Sequence, residues 1–295
     1  MEVFGYLING ISIGSVYAII ALGYTMVYGI AKMLNFAHGD VIMVGTYIAF
    51  YAMNSLGLPG IPAVLIAMAF CVVLGIVVEL LAYRPLRGAP SLAVLITAIG
   101  VSYFLQNAAQ LIFTADPRAF AIIPVGTPPI SLFGGKLTIS VAALVTMVVC
   151  VVVMVGLTLF TGKTRTGKAM RAVAEDRDAA QLMGINVNRT ISITFAIGSG
   201  LAAVAGVLLC SVTLQQLQPS IGSMPGIKAF TAAVLGGIGS ITGAMLGGIL
   251  LGVIEILGQS YLSAQLSDAI VFAVLILILL VKPTGLLGKR VQEKV

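Results

Sequence analysis

Uninterrupted apolar runs, each close to the roughly 20 residues that a helix needs to cross a bilayer, decide what this chain can fold into. They fall at 5–30, 41–56, 61–83, 91–114, 139–160, 190–215, 242–258 and 267–282. Backbone N–H and C=O groups in lipid must find partners within the protein, so only helices and closed barrels span a membrane. A barrel strand alternates apolar and polar residues over about 10 positions, whereas these runs are apolar throughout. The pattern predicts an all-α polytopic membrane protein, a single domain over 1–295 with about eight transmembrane helices plus re-entrant or broken segments. Composition agrees: 9% of residues are charged and mean hydropathy is +1.12, against about 25% charged in a soluble domain.

Charge placement orients the chain. The connections 84–90, 162–189 and 282–295 are basic, while 115–138 is rich in Pro and Gly with Arg118 and Lys136 as its cations. Cationic loops stay cytoplasmic, which puts 162–189 and the C-terminus inside, and 115–138 and the N-terminus outside. Only Arg118, Lys136 and Lys228 then fall on the outer side. The net charge of +6 is accounted for by these helix ends, so no nucleic acid partner is expected; membrane lipid is. The start of the chain has neither the cationic leader nor the cleavage site of a signal peptide, so the first run is expected to remain as a helix. Cys71, Cys150 and Cys210 sit inside apolar runs with no metal or disulfide spacing and read as packing residues.

Glycines four apart (Gly10 and Gly14; Gly239, Gly243 and Gly247; Gly248 and Gly252) form flat ridges against which helices pack closely. Two places instead break a helix: Asn35 to Asp40, and Gly236-Gly237-Ile238-Gly239-Ser240. Non-helical backbone at membrane depth faces protein or a water-filled cavity. Asn35, His38, Asp40, Gly236, Gly237, Gly239 and Ser240 are therefore candidates for a translocation path. Gln106 and Gln110, one turn apart on the fourth run with Ser102 extending the stripe, either line that path or hold helices together. The piece 227–238 is too brief to cross alone and reads as re-entrant. Glu79 is expected to pair with Arg84 or Arg87 near the inner interface, and Glu255, with Gln259 one turn on, to lie at an interface. His38, without a second imidazole or a cysteine nearby, reads as a hydrogen-bonding residue of its break, and no metal or cofactor is expected.

The segment 162–189 is the one long hydrophilic stretch, and it carries Asp178-Ala179-Ala180 and then, after three intervening residues, Gly184. This resembles the signature of the cytoplasmic coupling loop in permeases of bacterial ABC importers. Further stretches narrow the resemblance: NFAHGD at 35–40, RPLRG at 84–88, AEDRDAAQLMGINVNRTISITFAIGSGLAAVAGVL at 174–208, AVLGGIGSITGAMLGG at 233–248 and PTGLLG at 283–288. Together they are similar to the LivH-type permeases of branched-chain amino acid importers over nearly the whole chain. Asp at 178 replaces the Glu of the wider signature, and the trailing Pro of that signature is missing, which bears on how the loop docks.

The resemblance implies a permease subunit in the bacterial inner membrane that passes branched-chain amino acids inward. It implies ATPase subunits contacted through Glu175, Asp176, Asp178, Ala179, Ala180 and Gly184, and a second, similar permease subunit. A periplasmic substrate-binding protein would dock near 115–138 and 217–226. A related group carries urea and short amides, and a stand-alone secondary transporter or channel is the other class weighed. The chain itself is not expected to hydrolyse ATP. Gly162-Lys163-Thr164 looks like the tail of a phosphate-binding loop, but Leu157 stands where that loop needs its first glycine.

Overall fold

The computed structural model describes residues 2–124, 127–132, 137–213 and 216–288. Gly126, Gly134, Gly135 and Lys136 of the 115–138 connection, and the basic tail beyond 288, lie outside the described residues. The elements in chain order are α1 (Glu2–Ala31), α2 (His38–Asn54), α3 (Gly60–Val78), α4 (Ser91–Phe113), a short hairpin β1 (Ile130–Leu132) and β2 (Leu137–Ile139), and α5 (Val141–Lys163). There follow α6 (Arg165–Glu175), α7 (Arg177–Leu182), α8 (Val187–Thr213), α9 (Ser223–Gly236), α10 (Ile241–Tyr261) and α11 (Ser267–Val281). A π-helical turn, Glu79–Tyr83, prolongs α3. Seven helices among the described residues are long and apolar enough to cross a membrane. The eighth expected span is α2, which has 17 residues, most of them buried within the protein.

The bundle is layered by residue size. α1 packs along α10 and α8, and α8 in turn carries α2 and α3. These inner contacts run through glycine and alanine. A Cβ on Gly14 would lie 2.7 Å from Ile249 Cα, one on Gly248 would lie 2.5 Å from Ala18 Cα, and one on Gly45 would lie 2.6 Å from Ala203 Cα. Lipid tails are as apolar as leucine, so helices in a membrane associate by close packing rather than by escaping water. The large side chains accordingly point away from the centre: Leu81, Leu92, Phe104, Leu111, Val152 and Leu280 are all exposed. Hydroxyl groups inside the helices bond to their own preceding turn, as in Thr46 to Ile42 O at 2.8 Å and Thr194 to Thr190 O at 2.8 Å. This satisfies a donor where water is absent.

Both expected breaks are present, the second between the end of α9 at Gly236 and the start of α10 at Ile241. α1 stops at Lys32, which takes a left-handed φ of 52°, and α2 begins only at His38. α9 is entered by the non-helical residues 216–222, where Leu217 and Ile221 are buried. The first residues of the two short helices meet face to face, because Gly39 lies directly against Gly222 and Gly226. Side chains there would overlap the opposing backbone.

The course of α9 replaces the re-entrant expectation for 227–238. Leu217 pairs with Arg118 at one end of the bundle, and Leu287 N–H bonds to Gly236 O at 2.9 Å at the other. Gly236 lies against Gly243 and Ala232 against Gly247, so α9 runs antiparallel to α10. The chain therefore passes from end to end between 217 and 236. Together with α8, α10 and α11 this makes four passes after Arg189. An even number returns the chain to the side it left, which places 162–189 and 282–288 at the same end, as their cations require. A 14-residue helix rises only about 21 Å; the buried irregular stretch before it supplies the rest. Lys228 is 8% exposed, inside the bundle.

Two outcomes follow from this arrangement. A cysteine replacing Thr127 is labelled by an impermeant thiol reagent from outside, whereas cysteines at Lys168 and Thr242 are labelled only after the membrane is opened; outside labelling of position 242 would refute the crossing by α9. Gly14→Val lowers the thermal stability of the detergent-solubilised protein by about 1–3 kcal/mol or more through overpacking. Gly156→Ala, where nothing lies within 4 Å, is neutral or gains up to about 1 kcal/mol from helix propensity.

Candidate functional site

The hydrophilic segment forms two short helices at the basic end. Thr164 caps α6, its hydroxyl accepting from Gly167 N–H at 2.9 Å, and Met170 and Val173 turn inward to anchor the helix. Asp176 caps α7, its Oδ1 accepting from Asp178 N–H at 2.9 Å and Ala179 N–H at 3.0 Å. Gly184 closes α7 at a φ of +81°. Its N–H donates to Gln181 O and Ile185 N–H donates to Ala180 O, both at 3.0 Å, which is the double-bonded glycine cap of helix C-termini. Of the six residues that sequence assigned to coupling, Glu175, Asp176, Asp178, Ala179 and Gly184 are exposed, while Ala180 is buried beneath them. The tip is formed by two residues that the sequence reading did not single out, Leu182 and Met183, which are 89% and 83% exposed.

This loop is tied to the transmembrane core through arginines. Arg177 donates from Nη2 to the carbonyl of Ala31, the last residue of α1. Its partial burial, and then the neighbouring Arg87, lower the pKa of its guanidinium from the ordinary value. Arg87 itself donates to Asn188 Oδ1, at the start of α8, and to Glu79 Oε1. The other Glu79 oxygen accepts from Ser192 Oγ at 2.6 Å. Four residues beyond Glu79, Tyr83 OH donates to Asn35 Oδ1 at 2.8 Å. The expected Glu79 pair is thus made with Arg87, and Glu79 is fully buried.

The candidate path residues divide into three groups. Asp40 Oδ1 accepts from Gln106 Nε2 at 2.8 Å, and the same amide reaches Ser102 Oγ at 3.3 Å and Ser223 Oγ at 3.4 Å. This joins α2, α4 and α9 where the two short helices meet. His38 lies behind them, edge-on to Tyr24 with ring centroids 4.6 Å apart, and its backbone N–H bonds to Asn35 O at 3.1 Å. Gln110 is exposed on α4, away from this cluster. The Gly236–Ser240 break stands at the basic end. There Leu286 N–H donates to Leu235 O at 2.8 Å, and Ser240 Oγ caps α10 by accepting from Gly243 N–H at 3.1 Å. Ile238 and Asn35 share a cavity of only about 10 Å³, so the space between the two breaks at this end is nearly filled.

Space opens at the other end. A cavity of about 460 Å³ lies between α1, α5, α8, α9 and α10. At its floor Lys228 Nζ donates to Glu255 Oε1 at 2.8 Å and to Asp268 Oδ1 at 2.7 Å, and Gln259 Nε2 reaches Glu255 Oε1 at 3.3 Å. Glu255 is 5% exposed. A lysine within an apolar stretch of α9 was the available signal, since such a charge is costly in lipid unless paired. Its partners, 27 and 40 positions away, were not visible in sequence.

The residues from 6 to 279 match the family described as the permease component of the branched-chain amino acid transport system. The chain belongs to that family. It is 49% identical to the high-affinity branched-chain amino acid transport system permease protein BraD of Pseudomonas aeruginosa, covering 100% of this chain and 99% of that one. It is 46% identical to the corresponding LivH of Escherichia coli K12, over 97% and 96%, and 29% identical to a probable LivH of Methanocaldococcus jannaschii, over 92% and 88%. The resemblance carried by the short motifs is borne out across the chain. This permease is a multi-pass membrane subunit and not itself an ATPase; Leu157 and Gly162-Lys163-Thr164 belong to the end of α5 and its exit.

Arg87 is the hinge of the arginine network in this permease. Arg87→Ala leaves Glu79 buried without its cation and lowers stability by about 3–5 kcal/mol. The double variant Glu79→Gln with Arg87→Met recovers most of that loss. Thermal unfolding in detergent, with both single variants and the double, measures the difference.

Proposed function

We propose that this chain is one permease subunit of an ATP-driven importer for branched-chain amino acids in the bacterial inner membrane. The observation that carries the reading is the exposed apolar tip Leu182-Met183, set on a capped two-helix loop that grips the end of α1. A soluble-facing loop gains nothing from presenting two large apolar side chains to water. Buried in a groove of a partner, each contributes about 1.5–3 kcal/mol. The partner of that chemistry here is an ATPase subunit, with Glu175, Asp176, Asp178, Ala179 and Gly184 around the tip and Ala180 holding its base.

Movement of the ATPases would be passed through Arg177 to the last carbonyl of α1, and through Arg87, Glu79 and Tyr83 to Asn35. That is the start of the break leading to Asp40. Substrate arrives on a periplasmic binding protein at the end that carries Arg118 and Leu217. The names of the relatives support branched-chain amino acids over urea or short amides. A second, similar permease subunit completes the pathway.

Leu182→Glu combined with Met183→Glu weakens association with the ATPase subunit at least tenfold, read by co-purification, and abolishes ATP-driven leucine uptake in reconstituted vesicles. Gly184→Pro does the same by blocking the left-handed turn and removing a donor. Ala180→Glu also loses uptake, because its charge is forced under the loop. Uptake that persists when the ATPase, or the binding protein, is left out would remove the importer assignment.

A further inference from the structure

The first half of the 162–189 segment gathers four cations on one surface. Lys163 ends α5, and Arg165, Lys168 and Arg171 recur at i, i+3 and i+6 of α6, all four exposed. That spacing puts the three on one helix face, opposite Gly167, Met170 and Val173, which are buried. Among the described residues none of the four forms an ion pair. Lysine and arginine in the first turns of a helix oppose its macrodipole, so their charge does nothing for α6 itself. The positive-inside rule asks for cations at this end of the bundle, not for their convergence on one face.

The way α6 is held places this face at the bilayer surface. Val148, Val152, Val155 and Leu159 form an exposed apolar stripe along α5, and Gly162 and Lys163 prolong it at the same spacing. Thr164 is extended and ends α5, and Gly167 lies directly against Phe160 O and Thr161 Cα. The first turn of α6 therefore folds back onto the last turn of α5. Arg171 Nη2 donates to Gly162 O at 3.2 Å, which brings a second turn to the same place. α6 thus stays where the lipid-facing side of α5 leaves the hydrocarbon. We propose that Lys163, Arg165, Lys168 and Arg171 bind the headgroup phosphates of anionic phospholipids in the cytoplasmic leaflet. Clusters of about four to eight cations just beyond a transmembrane helix are the mark of such binding. Glu175, one turn beyond Arg171, is the acid on this face, and no ion pair joins it to the cations among the described residues. The site goes beyond the importer reading and depends only on the orientation of the bundle. It fixes the base of the 162–189 loop against the membrane.

The full chain contains no tryptophan, so Leu159→Trp supplies a single fluorophore at the inner end of the α5 stripe, and Leu144→Trp supplies one near its outer end. Each variant is reconstituted in phosphatidylcholine vesicles carrying an equal share of either phosphatidylglycerol or phosphatidylcholine with brominated acyl chains. Quenching of Leu159→Trp is expected to show a preference for phosphatidylglycerol of about fivefold or more, the contribution of a single cation near the surface. That preference falls as salt rises, and Leu144→Trp shows none. Adding Lys163→Gln, Arg165→Gln and Lys168→Gln to Leu159→Trp removes it. These three side chains make no hydrogen bond among the described residues, so the substitutions leave the fold intact. Equal quenching of Leu159→Trp by the two lipids, or a preference that survives the triple substitution, overturns the site. Co-purification of the ATPase subunit is unchanged in the triple variant; its loss, with no lipid preference in the parent, would make this face a protein contact instead. The quenching needs neither substrate nor ATP, so its result is independent of the importer reading.

Discussion

Every feature of this protein answers to one constraint: a backbone polar group in lipid has no water to turn to. Regular helix satisfies it wherever the chain faces outward, and the long peripheral helices α3, α4, α5 and α11 have no irregular turn along their lipid-facing lengths apart from the π-helical end of α3. Irregular backbone occurs where other protein groups supply the partners. The Gly236–Ser240 break is closed by the 285–287 segment, which donates to Leu235 O and Gly236 O. In the Asn35–Asp40 break His38 N–H bonds to Asn35 O and Asp40 N–H to Ala37 O, while Tyr83 and Gln106 hold the side chains of Asn35 and Asp40.

The same constraint explains the distribution of small residues. Closely apposed backbones need no Cβ between them, so Gly14, Gly248 and Gly252 allow α1 to lie along α10, and Gly39 with Gly222 and Gly226 allows two helix starts to meet. These contacts form a rigid centre on which the less densely buried parts are hung. The 162–189 loop joins that centre through arginines rather than through apolar packing alone. A guanidinium with its planar fork of donors can bind the carbonyl of Ala31, or Asn188 and Glu79 together, and so link a helix end, a loop and a buried acid.

Charge inside the bundle is handled in two ways. Glu79 is fully engaged by Arg87 and Ser192, an arrangement suited to holding elements together. Glu255 accepts from Lys228 and Gln259 through Oε1, and its other oxygen has no hydrogen-bond partner among the described residues. The distinction lies in the second oxygen. Both residues looked alike in sequence: a lone glutamate near the end of an apolar run.

Sequence by itself determined the helices, their approximate limits, the two breaks and the side on which the basic loops lie. Those properties depend on local composition: about 20 apolar residues make a span, a cluster of glycines interrupts one, and lysines and arginines stay at its cytoplasmic end. The two short helices of 162–189 were legible for the same reason, since their caps and the terminating glycine act within a few residues. Only the tertiary structure decided that 217–236 passes from one end to the other, because the first part of that pass, 217–222, is non-helical and is stable only while Leu217 and Ile221 are buried by other elements. It alone placed Gln110 apart from Gln106, turned Ala180 inward beneath an exposed Leu182 and Met183, and brought Lys228, Glu255 and Asp268 together. Such contacts join residues far apart in the chain, and no local pattern encodes which face of a helix meets which neighbour.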